Sequence, residues 1–380
     1  MKEIQYKKFS WDTHKKNWQL KKPNVCQLEL TFRCSLSCKY CYASCYNKPK
    51  FVKKELNTRQ VKLILDKVYD SGVIWLCFTG GDPLTRNDFL DVYSYAKDKG
   101  FITSIFTNGY SMTKKIADYL RKKPPFVIEI TLNGVTKKTY EKISGIKGSF
   151  EKTMKGLKLI LKRKLPLKIK TQIIKDNLEE APRIREFVEN LGLQFRPTTM
   201  LHSRLNGDLT PSFLRIELKK VFGEDKKFNM DLNEDECRYK VNTIRSTDDN
   251  IGGPNKQSEL NVFAGRDNYL FSCSIGGGDG IYIDPYGNLI PCICIREPKV
   301  KLLKEGVIEA QKKILTWVKT RHFESDSKCK SCLIREFCYN CPGKALLETK
   351  DLEQPVKWFC DLAVITNRQK QSSNARSKNA

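Results

Sequence analysis

The chain has 380 residues, of which 40% are apolar, enough for a packed core and roughly two domains. No stretch approaches the ~18–20 consecutive apolar residues of a membrane-spanning helix, and the opening MKEIQYKKFSWDTHKKNWQLKK has no apolar signal core, so a cytoplasmic protein without membrane contact is expected. The net charge of +26 rests on lysines spread along the whole chain without the Arg and aromatic interleaving of a nucleic-acid groove, so a solvated surface is expected and no nucleic-acid partner.

Residues 1–24 read as a basic, irregular lead-in. Val25–Phe32 (VCQLELTF) then reads as a strand, and Thr58–Tyr69 has helical apolar spacing. Val73–Phe78 is a buried strand that stops at Thr79-Gly80-Gly81. Helix at Asp88–Lys99, strand at Ile102–Phe106, helix at Thr113–Arg121 and strand at Phe126–Leu132 follow. Ser149–Lys162 reads as helix, Leu167–Ile174 as strand, Glu179–Leu191 as helix and Leu193–Pro197 as a sixth strand. Strands alternating with helices mean a parallel α/β sheet with right-handed crossovers. Six units predict a partial (β/α)6 barrel, TIM-like but open, spanning residues 25–205.

Beyond residue 205 the alternation ends. A bridging region, 206–260, holds the turn-rich Asn206–Pro211 and Thr247–Gln257. Residues 261–361 are cysteine-rich and contain one hairpin signal, IYIDPYGNLIPCI, with its turn at Pro285–Asn288. The tail, 362–380, ends in polar low-complexity sequence and is expected to be disordered.

Polar and Gly-rich motifs fall at the carboxyl ends of four strands, where parallel sheets bind ligands. They are Cys34–Cys41, Gly80–Pro83, Thr107–Gly109 and Asn133. The chain holds fifteen cysteines at short spacings, and without a signal peptide these favour metal or cluster ligation over disulfides. Cys34-x3-Cys38-x2-Cys41 can hold three irons of a four-iron cluster and leave one open. Zinc is the alternative, with Cys45 as a fourth ligand. Cys26 and Cys77 lie in strands and read as core residues.

The C-x3-C-x2-C loop after the first strand resembles the radical S-adenosylmethionine superfamily. In that family S-adenosylmethionine chelates the open iron, and its reductive cleavage gives a 5′-deoxyadenosyl radical that takes a substrate hydrogen. Gly80-Gly81-Asp82-Pro83 resembles the family's GGEP element, which receives the methionine amino group, with Asp for the usual Glu. The resemblance implies that Tyr40 lies against the adenine and that Thr107, Asn108, Thr131 and Asn133 line the cofactor. Related chains often carry Arg where Ser144 precedes Gly145, so one carboxylate contact is expected to be absent or supplied elsewhere.

Cys273-x13-Gly287-x4-Cys292, Cys329-x2-Cys332-x5-Cys338-x2-Cys341 and Cys360 resemble the SPASM extension, one residue short between Cys338 and Cys341. The resemblance implies two auxiliary 4Fe–4S clusters, three in all. Cys329, Cys332, Cys338 and Cys360 would hold the outer one, and Cys273, Cys292 and Cys341 the inner one. Its fourth ligand stays open between Cys237, Cys294 and substrate; a pair of zinc sites is the alternative.

SPASM proteins mostly modify peptides or proteins, by thioether or carbon–carbon bonds or by epimerisation, so a peptide or small-protein substrate is expected. A reductant such as flavodoxin or ferredoxin is implied, as is a separate leader-binding protein, since only about 24 residues precede the first strand. Tetrapyrrole side-chain chemistry is a second reading, though His14, His202 and His322 are the only histidines. Sulfatase maturation is a third, weakened by Ile293 where such enzymes carry Asp after the cysteine. A non-catalytic electron carrier is a fourth; it has no need of the Gly80–Pro83 turn.

Overall fold

A computed structural model of the chain describes residues 5–20, 22–43, 49–219, 269–271 and 278–378. Cys45, Cys237 and Cys273 lie outside these residues.

The stretch expected to be irregular forms a helix, α1 (Tyr6–Gln19). Its sparse aromatic residues, hidden among lysines in the sequence, explain the difference. Phe9 packs on Trp75 with ring centroids 5.9 Å apart, His14 stacks on the same indole at 4.6 Å, and the indole N–H donates to the Tyr6 hydroxyl at 3.0 Å. Trp75 begins the second strand, so α1 covers the amino-terminal end of the sheet, opposite the strand ends that carry the motifs.

The alternation then runs as read. The order is β1 (Val25–Thr31), short α2 (Pro49–Val52), α3 (Thr58–Asp70), β2 (Trp75–Gly80), α4 (Phe89–Asp98) and β3 (Ile102–Thr107). Next come α5 (Lys114–Lys122), β4 (Val127–Thr131), α6 (Lys137–Ser144), α7 (Ser149–Lys162), β5 (Leu167–Gln172), α8 (Ala181–Asn190) and β6 (Phe195–Thr198). Helix α6 was not foreseen. It is only eight residues long, capped by the Thr136 hydroxyl and ended by Gly145 at φ 69°.

After α9 (Thr210–Phe213), β7 (Gly280–Ile283) and β8 (Asn288–Ile290) form the expected hairpin, with Tyr282 opposite Ile290. The Asp284 carboxylate accepts from the Tyr286 and Asn288 amides, and Gly287 takes φ 76°, which closes the turn. Then follow β9 (Val300–Lys301), α10 (Val307–Lys319), α11 (Pro342–Thr349) and α12 (Lys357–Lys378). The tail expected to be disordered therefore continues α12 as helix; Phe359, Leu362 and Ala363 bury its first turns.

The nine strands of the described residues share one sheet, in the order β6-β5-β4-β3-β2-β1-β7-β8-β9. The first six are parallel and in sequential order, as a partial barrel requires. The sheet does not close: β6 and β9 are its edges. The hairpin is not a separate unit, because β7 adds in parallel to β1, with Val25 beside Gly280.

Strand residues alternate between two faces. Leu28, Leu76, Phe78, Ile105, Ile130 and Ile169 pack with Ile64, Tyr93, Ile160 and Ile184 of the helical layer. The intervening positions face the inside of the barrel and include Glu29, Cys77, Ser104, Glu129, Lys168, Lys170 and Arg196. Cys26 and Cys77 are both buried as read, Cys26 against the helical layer and Cys77 on the inner face, where Glu129 and Lys170 are close enough to influence it.

Candidate active site

The cysteine loop leaves β1 and docks on the end of α6. The Ser37 amide donates to the Ser144 carbonyl at 2.9 Å and the Lys39 amide to the Ile143 carbonyl at 3.1 Å. A side chain at Gly145 would put its Cβ 2.7 Å from the Ser37 oxygen, so only glycine permits this approach. From beyond β6, the Arg204 guanidinium donates to the carbonyls of Cys41 and Lys39, both at 3.0 Å. Ser144 is buried and hydrogen-bonds Ser149 at 2.7 Å, so it offers nothing to a ligand.

This cradle gathers three thiols. Burial pushes the Cys38 thiol well above its ordinary pKa, and Cys41 and Cys34 push it further. Two strand-end amides face the sulfurs: Asn108 Nδ2 donates to Cys34 Sγ at 3.4 Å and Asn133 Nδ2 to Cys38 Sγ at 3.8 Å. Three half-buried thiol residues on one loop, with amide donors on two of their sulfurs, fit a positively charged iron centre, which would hold them as thiolates. No three His, Cys, Asp or Glu side chains among the described residues converge tightly enough for a single metal ion.

The Gly80–Pro83 turn is laced to the entry of this loop. Gly81 N donates to the Thr31 carbonyl at 2.7 Å and Asp82 N to that of Arg33 at 2.8 Å. A Cβ on Gly80 or Gly81 would lie 2.1 or 2.2 Å from those same oxygens. Pro83 begins a buried 3-10 turn. Asp82 differs in use from the expectation. Its carboxylate is fully buried and accepts from the Leu84 amide at 3.0 Å, the Thr107 hydroxyl at 2.8 Å and the Asn108 amide at 3.0 Å. Burial raises its pKa to about 6 against the pull of those donors. One methylene shorter than Glu, it ties the end of β2 to the end of β3 and aims Asn108 at Cys34. A ligand at this turn meets backbone rather than the carboxylate.

Tyr40 donates its hydroxyl to Asn133 Oδ1 at 2.6 Å and packs beside Ile143, Ile174, Leu201 and Leu214. The backbone oxygen of Asn133 accepts from Asn177 at 3.0 Å. Thr131 ends β4 half-buried, opposite Lys170. Thus Thr107, Asp82 and Asn108 form one hydrogen-bond chain ending on Cys34, and Tyr40 and Asn133 a second ending on Cys38. Two parts of this site had no motif to announce them, the end of α6 and Arg204. Glu29 had one, a charge inside the apolar strand VCQLELT. It is 2% exposed and is held by Arg296, which donates to both its oxygens, one of them at 2.9 Å. Burial raises the Glu29 carboxyl, and Arg296 only partly offsets this.

In the second cysteine region, the thiols of Cys329, Cys338 and Cys360 each respond to neighbours of the same set. Burial raises Cys338 to about 11, with Cys360, Cys329 and Cys332 adding to the effect. Cys329 and Cys360 are raised by burial and then by Cys332, and in Cys360 also by Cys329. The four expected to share a cluster therefore lie together. Cys292 is buried and Cys341 is the N-cap of α11.

A family model described as the radical SAM superfamily matches residues 28–188. The AdoMet-dependent heme synthase of Methanosarcina barkeri is 25% identical over 335 residues, 87% of this chain and 94% of the relative. The PqqA peptide cyclase of Granulibacter bethesdensis is 30% identical over 167 residues, 43% of either chain, so this chain spans less than half of that relative. Among solved structures, Streptococcus suis SuiB bound to its precursor peptide SuiA superposes with TM-score 0.60 at 16% identity, covering 90% of this chain and 78% of SuiB. The enzyme anSMEcpe with bound AdoMet and the Kp18Cys peptide gives 0.62 at 14% identity, covering 94% and 99%. At these identities the structural likeness concerns the fold. No helix among the described residues is long and apolar enough to cross a membrane.

Proposed function

The chain is an enzyme of the radical SAM superfamily, and from that premise we propose that it oxidatively modifies a peptide or small protein, with Cys34, Cys38 and Cys41 holding its first 4Fe–4S cluster. The observation that carries the reading is the pair of hydrogen-bond chains that meet at these thiols, one from Cys34 through Asn108 to Asp82 of the Gly80–Pro83 turn and one from Cys38 through Asn133 to Tyr40.

When bound, the cluster and S-adenosylmethionine supply a carbon radical able to take a substrate hydrogen. The chain's own residues do the rest. Gly80 and Gly81 let the turn close against the Thr31 and Arg33 carbonyls beside the cysteine loop, and Asp82 keeps Asn108 on the sulfur of Cys34. Tyr40 holds Asn133 against Cys38. The inner face, which includes Lys170 and Glu129, would give the substrate a polar lumen. Two auxiliary clusters, on Cys329, Cys332, Cys338 and Cys360 and on Cys273, Cys292 and Cys341, would accept the substrate's electron. A peptide substrate is supported by the peptides named with SuiB and anSMEcpe and by the PqqA cyclases.

A second reading, tetrapyrrole side-chain chemistry, is favoured by the near full-length similarity to the heme synthase. Lys170, on the inner face, would suit a propionate carboxylate as well as an acidic peptide. Anaerobic incubation of the reconstituted chain with dithionite and S-adenosylmethionine should give 5′-deoxyadenosine. None, with the clusters intact, would refute the enzyme reading. Iron-coproporphyrin III that stimulates this yield and changes mass, when a peptide encoded beside the gene does neither, would replace the peptide reading.

A further inference from the structure

The inner auxiliary cluster lacks a fourth ligand by sequence pattern alone. Around Cys292 the chain makes a tight turn: the Cys292 amide and the Ile295 amide each bond the other residue's carbonyl, at 3.4 and 3.2 Å. Inside that turn the Cys294 amide donates to Cys292 Sγ at 3.3 Å. Both thiol residues are buried, Cys294 to 3% exposure.

The other ligand strand arrives at the same point. Cys341 caps α11, and two residues later Gly343 lies so close that a Cβ there would sit 2.9 Å from Cys294 Cβ. The first turn of α11 therefore packs directly on Cys294, with its amide end, favourable to thiolates, at the site. From the barrel side His202 donates Nδ1–H to the Ser203 carbonyl at 2.9 Å, since a carbonyl only accepts. This leaves Nε2 facing Cys294 Sγ at 3.7 Å. Tyr42, next to Cys41, packs on His202 with centroids 5.5 Å apart.

We propose that Cys294 is the fourth protein ligand of the inner auxiliary cluster, beside Cys292 and Cys341, with His202 packed against its sulfur. On assembly the Cys294 S–H bond is replaced by a sulfur–iron bond and the proton is released to solvent. The proposal rests on the auxiliary-cluster reading above. It places this cluster on the same side as the Cys34–Cys41 loop, with Tyr42 and His202 between them.

The test uses the full chain, reconstituted anaerobically with iron and sulfide. The wild type should bind about twelve irons, as three four-iron clusters require. Cys294→Ala should lower this toward about eight, or give the oxidised EPR signal of a three-iron cluster with one ligand missing. Cys294→Ser should retain the iron and shift the reduced-state EPR signal of one cluster, which separates ligation from misfolding. Cys237→Ala should change neither iron nor EPR. Full iron and unchanged spectra in both Cys294 variants would overturn the proposal. So would loss of the cluster in Cys237→Ala, or in His202→Ala while Cys294→Ala keeps it. About four irons in the wild type would instead remove the auxiliary-cluster reading itself.

Discussion

Arg296→Met tests how the hairpin region is fastened to the barrel. The Glu29 side chain is 2% exposed, while that of Arg296 is 24% exposed and also lies over the Phe32 ring at 5.4 Å. Removing Arg296 leaves the carboxylate with only the Tyr42 hydroxyl at 3.3 Å. A buried charge stripped of its partner costs about 3–5 kcal/mol. At roughly 2.1 cal/mol/K per residue the chain unfolds with about 0.8 kcal/mol/K, so the apparent Tm should fall by about 4–6 °C at pH 7.5. The pH dependence has a fixed sign. Folding raises the Glu29 pKa, so the cost of its ionised form is present above the folded value and fades as pH falls through it. The deficit of Arg296→Met should therefore shrink toward pH 5.5. Glu29→Gln alone should cost less, because Arg296 can reach water, and Glu29→Gln with Arg296→Met should recover most of the loss. Anaerobic thermal scans of the four proteins at two pH values decide it. A double variant no more stable than Arg296→Met, or a deficit that ignores pH, would refute the reasoning.

Asp82→Asn should stabilise the protein relative to wild type most at pH 7.5 and progressively less toward pH 5, because a fully buried carboxyl raised from 3.8 to about 6 costs about 3 kcal/mol when ionised. Against this, the amide turns a donor toward the Leu84 or Asn108 amide, which subtracts about 1–3 kcal/mol at every pH; a stability difference that does not vary with pH would contradict the assignment. Cys38→Ala should abolish 5′-deoxyadenosine formation, whereas Cys332→Ala should spare uncoupled cleavage and block product; product at the wild-type rate would show the outer thiols to be dispensable. Phe9→Ser should lower stability by about 2 kcal/mol and alter Trp75 fluorescence, and an unchanged emission spectrum would mean that α1 does not cover the indole.

The sequence announced the parallel strands to within about two residues, because each alternates an apolar outer face with a stop at a Gly or polar cluster. The three-cysteine loop and the Gly80–Pro83 turn were equally visible, since their chemistry dictates residue type and spacing. Three features were not. Helix α1 carries its buried aromatics in a lysine background, so its pattern emerges only once Trp75 is placed beside it. Arg204 acts through two backbone carbonyls, which leave no mark on the sequence of the loop they belong to. The role of Asp82 was obscured by its likeness to Glu: the motif suggested a side chain reaching outward, and the shorter one turns inward to Thr107.

The parallel pairing of β1 with β7 joins residue 25 to residue 280. During synthesis β1 can pair with β2 early, but its other edge stays an open template until the last quarter of the chain emerges, a contact of very long loop closure. The strand that launches the cysteine loop is therefore among the first to form and among the last to be sealed. Folding intermediates should expose that edge, and their tendency to aggregate should drop once β7 docks. Metal loading of the loop before that moment would take place on an unfinished sheet; after it, on one whose launching strand is held from both sides.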